Sequence, residues 1–127
     1  MIKNILIVAS IVAALAITGV AASIFGQAAT DFSGTWIVRW LSNDTRNPMS
    51  LTQTDGHLTG TYVNDKNDTC SVSGEYTQNN SRITLRIDCP KWDIKMEGLP
   101  SLDGKTIEGK YMAYGTSTGG FVMIKTK

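Results

Sequence analysis

Beyond residue 30 the chain has no stretch with helical periodicity. It breaks into short segments of alternating apolar and polar residues, separated by turn-forming pairs at nearly regular intervals. Eight such segments read as strands: 34–42, 48–54, 57–64, 69–77, 81–88, 91–98, 105–113 and 118–126. The pairs Asp55-Gly56, Asn79-Asn80 and Asp103-Gly104 supply residues that tolerate positive φ, so consecutive strands are expected as antiparallel hairpin neighbours.

Alternation puts Phe32, Trp36, Val38, Trp40, Met49, Leu51, Leu58, Tyr62, Val72 and Tyr76 on one face, with Ile83, Leu85, Ile87, Trp92, Ile94 and Met96 continuing it. Ile107, Gly109 and Tyr111 follow in the seventh strand. In the eighth both phases are apolar: Val122 and Ile124 are the expected core pair, with Phe121 and Met123 on the opposite phase. The other face carries Arg39, Arg86, Asp88, Asp93, Lys95 and Glu97, as water-facing positions require. A weak repeat, apolar-x-Gly-x-Tyr, recurs at 58–62, 72–76 and 107–111. Glycine on an inward face lets strands coil tightly and leaves room for a neighbouring ring, which suits a small closed barrel. The expected fold is therefore all-β, a small eight-stranded antiparallel up-and-down barrel, with an open or sandwiched meander as the alternative.

Residues 1–28 differ from the rest. Lys3 gives a positive start and Ile5 to Phe25 contain no charged residue, ending in Gly26-Gln27-Ala28, so this segment reads as a signal peptide preceding a barrel domain at 29–127. Cleavage after Ala22 and an uncleaved membrane anchor are the alternatives. A secreted, extracellular or periplasmic location follows. In such a compartment Cys70 and Cys89 are expected to form a disulfide. If Asn79-Asn80 make a two-residue hairpin turn, the two cysteines face each other across it. A bridge closing a loop of about 20 residues is worth roughly 3 kcal/mol.

With 12 basic against 11 acidic residues and no run of either sign, the chain lacks the footprint of a nucleic-acid binder. Membrane contact is expected only through an uncleaved N-terminal segment. His57, the one histidine, follows a turn and has no nucleophile at a telling spacing; the carboxylates are scattered. The segment 64–68 offers oxygen ligands but also Lys66 and lacks a downstream Glu at calcium-loop spacing. No enzyme activity, metal or cofactor is expected. Three sequons, at Asn43, Asn67 and Asn79, fall in expected loops.

Phe32-Ser33-Gly34-Thr35-Trp36 resembles the Gly-x-Trp signature of the calycin barrels, which include lipocalins and avidins. The resemblance implies structural roles for Gly34 and Trp36, the Trp plugging the closed end beside a basic residue of the last strand, here Lys125 or Lys127. Over the first three strands the likeness is closest to avidins, through Gly34-Thr35-Trp36, Asn47-Pro48-Met49-Ser50-Leu51 and Leu58-Thr59-Gly60-Thr61-Tyr62. Tyr62 matches their ureido-contacting tyrosine. However, Val38 stands where avidins have a ligand-binding Asn, Asn47 where they have Ser, and Asn64 where a small hydroxyl residue is usual. The late Trp pair and C-terminal Asp have no counterpart. High-affinity biotin binding is thus not expected.

An eight-stranded barrel admits one small ligand at its mouth. Trp40, Tyr62, Tyr76, Trp92 and Tyr111 are the candidate lining for a small hydrophobic or aromatic ligand. The alternative is a protein partner: secreted inhibitors of bacterial proteases resemble the chain in size, barrel, single disulfide and N-terminal Gly-x-Trp, and insert a flexible N-terminal trunk, here Ala29-Thr30-Asp31. The oligomeric state is left open by the sequence. N-terminal sequencing of the mature protein should begin at Ala29; a start at Ser23 would instead supply the longer trunk that an inhibitor needs.

Overall fold

The computed structural model describes residues 30–127. The expected signal segment at 1–28 lies outside the described residues. Eight strands follow in order: β1 Gly34–Trp40, β2 Thr45–Thr54, β3 His57–Val63, β4 Thr69–Thr77, β5 Arg82–Cys89, β6 Trp92–Pro100, β7 Thr106–Ala113 and β8 Ser117–Lys125. Each pairs antiparallel with the next, and β1 also pairs with β8 from Trp36↔Lys125 to Trp40↔Phe121, closing the barrel. The up-and-down barrel read from the sequence is thus the fold, and the open meander is excluded.

Local chemistry accounts for the turns. Asp55 at φ 57° and Gly104 at φ 71° adopt the left-handed backbone that two of the turn pairs were expected to supply. The third turn differs: Gln78–Asn80 form a 3₁₀ turn and Ser81, at φ 52°, carries the left-handed residue. Its longer connection has the same centre as the expected two-residue turn, so the register is unchanged, with Ser71↔Asp88 and Thr77↔Arg82 as partners. One step beyond Ser71↔Asp88, Cys70 and Cys89 form the disulfide, with Cα atoms 4.6 Å apart. Between β1 and β2 the ladder persists to Trp40↔Thr45, so β2 starts earlier than expected and brings Asn47 onto the inward face opposite Val38. Asp44, at φ 59°, tightens that turn and accepts a 2.7 Å bond from Arg39 Nε. The two guanidinium groups beside it, Arg39 first, hold its carboxyl below the usual range.

Inside the barrel, Phe32, Trp36, Val38, Met49, Leu51, Leu58, Val72, Ile83, Leu85, Ile87, Met96 and Ile107 are buried, as alternation predicted. In β8 the expected phase is corrected. Phe121 and Met123 are buried, while Val122 faces outward and Ile124 is 46% exposed. Cross-strand partners share a face, and β8 lies between Trp40 and Gly109, both paired with Phe121, and between Val38 and Ile107, both paired with Met123. The neighbours set the phase where the strand's own pattern was ambiguous. At Gly60 and Gly109 of the repeat an added Cβ would run into the backbone of the adjacent strand, at Ser50 and Glu97, so glycine permits the close coiling of a small barrel.

One end is plugged. Trp36 is fully buried, its indole N–H donates to Phe32 O at 2.9 Å, and Lys125 Nζ stands 6.0 Å from the ring centroid. The same ammonium donates to Asp31 O at 3.2 Å. This is the arrangement implied by the calycin resemblance, and the closed eight-stranded barrel is consistent with a calycin-like fold.

Phe121→Ala should cost about 3–5 kcal/mol as a cavity in a packed core, whereas Ile124→Thr should change stability by about 0.5 kcal/mol or less. Urea unfolding of the two variants measures this; the reverse ranking would put the other face of β8 inside.

Candidate functional site

Consecutive antiparallel strands place their connections alternately at the two ends. The turn after β1, the loop 64–68 after β3, the turn Pro90-Lys91 after β5 and the turn after β7 therefore gather at the end opposite the Trp36 plug. These connections, with the strand ends beneath them, surround a cavity of about 850 Å³ at the mouth of the barrel.

Four of the five candidate aromatics meet there. Trp40 ends β1, Tyr62 lies near the end of β3, Trp92 opens β6 and Tyr111 belongs to β7. Trp40 is the hub: its ring stands edge-on to Tyr111 at 4.9 Å and to Tyr62 at 6.1 Å. The hydroxyl of Tyr111 is 2.7 Å from Ser42 Oγ, tying it to the first turn. Across the β7–β8 ladder Tyr111 faces Gly119, where a Cβ would stand 2.8 Å from the ring, so only glycine leaves the ring its place. Trp92 is half-buried, with Tyr114 6.2 Å away. The fifth candidate, Tyr76, is at the plugged end. It packs edge-on against Phe32 at 4.9 Å, and its backbone N–H donates to Gly56 O.

The floor is polar. Trp40 Nε1–H is shared between Tyr62 Oη at 2.9 Å and Asn47 Oδ1 at 3.2 Å, and Asn47 Nδ2 donates to Asp65 Oδ1 at 2.8 Å. Asn47 is 5% exposed and Tyr62 3%. Burial pushes the Tyr62 phenol up to about 12; the Trp40 N–H works against this and the Asp65 charge adds to it. Tyr62 therefore keeps its proton at any ordinary pH. Asn47 was legible as a polar residue in phase with Met49 and Leu51, but Asp65 sits in a loop and no sequence signal singled it out.

The disulfide braces this end. Cys70 is the cross-strand partner of Tyr62 and Cys89 that of Trp92, so the bridge joins β4 and β5, which lie between the strand carrying Tyr62 and the strand carrying Trp92. The loop 64–68 is held from within: Asn64 Oδ1 accepts from the N–H groups of Lys66 and Asp68, both at 2.9 Å.

A larger recess of about 1310 Å³ is lined from β3 to β8 by buried Leu58, Leu85 and Met96 together with exposed Thr59, Ser73, Arg86, Lys95 and Thr118, and Tyr111 lines both spaces. His57 lies at the plugged end with Nδ1 3.8 Å from Glu75, both exposed. Among the described residues no group of three or more His, Cys, Asp and Glu stands close enough to hold a metal ion, and no helix is long and apolar enough to cross a membrane.

The fold and site define a small disulfide-bearing barrel, filled at one end and open to an aromatic mouth at the other. No family model and no curated protein matches the chain.

Because Tyr62 has a pKa raised above the roughly 10 of a free phenol, its burial favours the folded state fully below about pH 10, and that contribution is lost as pH rises toward 12. Tyr62→Phe should remove the step near pH 12 from the phenolate absorbance titration and flatten the alkaline fall in stability over the same interval.

Proposed function

We propose that this is an exported, non-catalytic binding barrel that takes one small, flat, largely apolar ligand into its mouth. The observation that supports it is the convergence of Trp40, Tyr62, Trp92 and Tyr111, from four different strands, on a cavity at the end of the barrel opposite the Trp36 plug. Flat rings presented edge and face to a cavity of this size suit a planar guest, and a few fixed polar groups beneath them can orient it. The disulfide, which braces the mouth, agrees with export to an oxidising compartment.

The likeness to avidins points to the same end of the barrel, through Tyr62. The chain's own residues argue against biotin as the guest: Val38 is buried and apolar, and Asn47 is committed to Trp40 and Asp65. The inhibitor alternative has less to support it. Of its trunk, Ala29 lies outside the described residues, and Asp31 is pinned through its carbonyl to Lys125 and through its carboxylate to Ser33 N–H at 2.9 Å.

Two of the three tryptophans, Trp40 and Trp92, line the mouth, so binding should register in intrinsic fluorescence. With the disulfide intact, titration with small aromatics, fatty acids, haem and biotin should give a saturable shift and a raised melting temperature with a flat aromatic compound. Trp92→Ala should weaken that binding by roughly tenfold, as loss of a stacking wall does. A fluorescence and melting profile untouched by every compound would overturn the proposal.

A further inference from the structure

Two Asp-Gly pairs occur in the sequence, Asp55-Gly56 and Asp103-Gly104, in the β2–β3 and β6–β7 turns, both at the plugged end of the barrel. An aspartate followed by glycine can rearrange without an enzyme, because glycine has no Cβ to shield its backbone nitrogen from the preceding carboxyl. That nitrogen attacks Cγ, a new N–Cγ bond forms, and one carboxyl oxygen leaves as water, closing a five-membered succinimide. Water then reopens the ring. Attack at the side-chain carbonyl restores aspartate; attack at the main-chain carbonyl breaks the original peptide bond and leaves isoaspartate, with the chain running through Cβ and Cγ. One water leaves and one enters, and nothing is oxidised or reduced.

The fold treats the two pairs differently. At Asp103-Gly104 both reacting groups are occupied: the carboxylate accepts from Ser101 Oγ at 2.6 Å and from Lys105 N–H at 3.0 Å, and Gly104 N–H donates to Ser101 O at 3.0 Å. The bond from Ser101, followed by that from Lys105, holds the Asp103 carboxyl below its usual range and so in the anionic form, the poorer electrophile. At Asp55-Gly56 neither group is occupied. The exposed Asp55 carboxylate has no hydrogen-bond or ion-pair partner among the described residues, and Gly56 N–H meets no acceptor among them. Asp55 itself holds the left-handed backbone of its turn, at φ 57°, whereas in the other pair glycine holds it, at φ 71° and without steric cost. The extra main-chain carbon of isoaspartate releases that constraint.

We propose that Asp55-Gly56 is a site of spontaneous isoaspartate formation in the folded protein, and that Asp103-Gly104, the same pair at the same end, is protected by its own hydrogen bonds. The modification enters the β2–β3 turn where Gly56 O accepts from Tyr76 N–H at 2.9 Å and Tyr76 packs against Phe32. It therefore acts on the plugged end of the barrel rather than on the mouth, and it is independent of any ligand.

Ageing the oxidised protein for several weeks in mildly acidic buffer, both folded and unfolded in guanidinium chloride, tests this. Peptide mapping by electron-transfer fragmentation, which separates isoaspartate from aspartate, reads each pair. In the folded protein the yield at Asp55 should exceed that at Asp103 by at least about fivefold, the worth of roughly one hydrogen bond, and in guanidinium the ratio should fall to about twofold or less. Ser101→Ala, with its fold checked by thermal melting, should raise the yield at Asp103 and leave that at Asp55 as before. Equal yields in the folded protein, a larger yield at Asp103, no isoaspartate at Asp55, or a ratio that neither guanidinium nor Ser101→Ala alters would overturn the assignment.

Discussion

Everything inside this protein depends on the seam between its first and last strands. Before β1 meets β8 the chain is a twisted ribbon with two unpaired edges and no interior. Once Trp36 to Trp40 pair with Phe121 to Lys125, both edges disappear and an inside exists. The seam is reinforced at the plugged end, where Thr35 N–H donates to Lys127 O and Thr126 N–H to Thr35 O. It also decides which side chains of β8 are core, because a strand inserted between two neighbours of known phase has one choice left. Closure is thus both the largest single constraint on the chain and the step that converts a pattern of alternating residues into a container.

The two ends of that container use the same materials differently. At the plugged end Trp36 spends its one donor on the Phe32 carbonyl, with the Lys125 ammonium over its ring. At the mouth Trp40 divides its donor between two acceptors, whose own hydrogens are only partly used. Buried polar groups of the second kind cost stability. The disulfide stands at that end, beside Tyr62 and Trp92. A plugged end and an open end with a polar floor give the barrel a direction, although its strands alternate regularly throughout.

Much of the architecture could be read directly. Alternation and turn pairs located all eight strands, and the hairpin symmetry about residues 79 and 80 predicted the cysteine pairing even though the turn itself has a different conformation. That prediction survived because register depends on where a turn is centred, and a two-residue and a four-residue connection can share a centre. Four of the candidate aromatics reach the mouth, whereas Tyr76 is at the far end against Phe32. The two groups have the same inward phase. What separates them is height along the barrel, and alternation carries no information about height.

Sequence alone determined what is local: strand periodicity, turn chemistry, the inward face of seven strands, and the facing of Cys70 and Cys89. Each follows from the two-residue repeat of extended backbone and the few residues that tolerate positive φ. Tertiary structure decided the rest. The phase of β8 came from its neighbours Trp40, Val38, Gly109 and Ile107, and the polar floor came from the loop that brings Asp65 to Asn47, 18 positions away in the chain. A strand that is apolar on both faces, or a carboxylate in a loop, has no local rule to place it. Only the packing of residues distant in sequence supplies one.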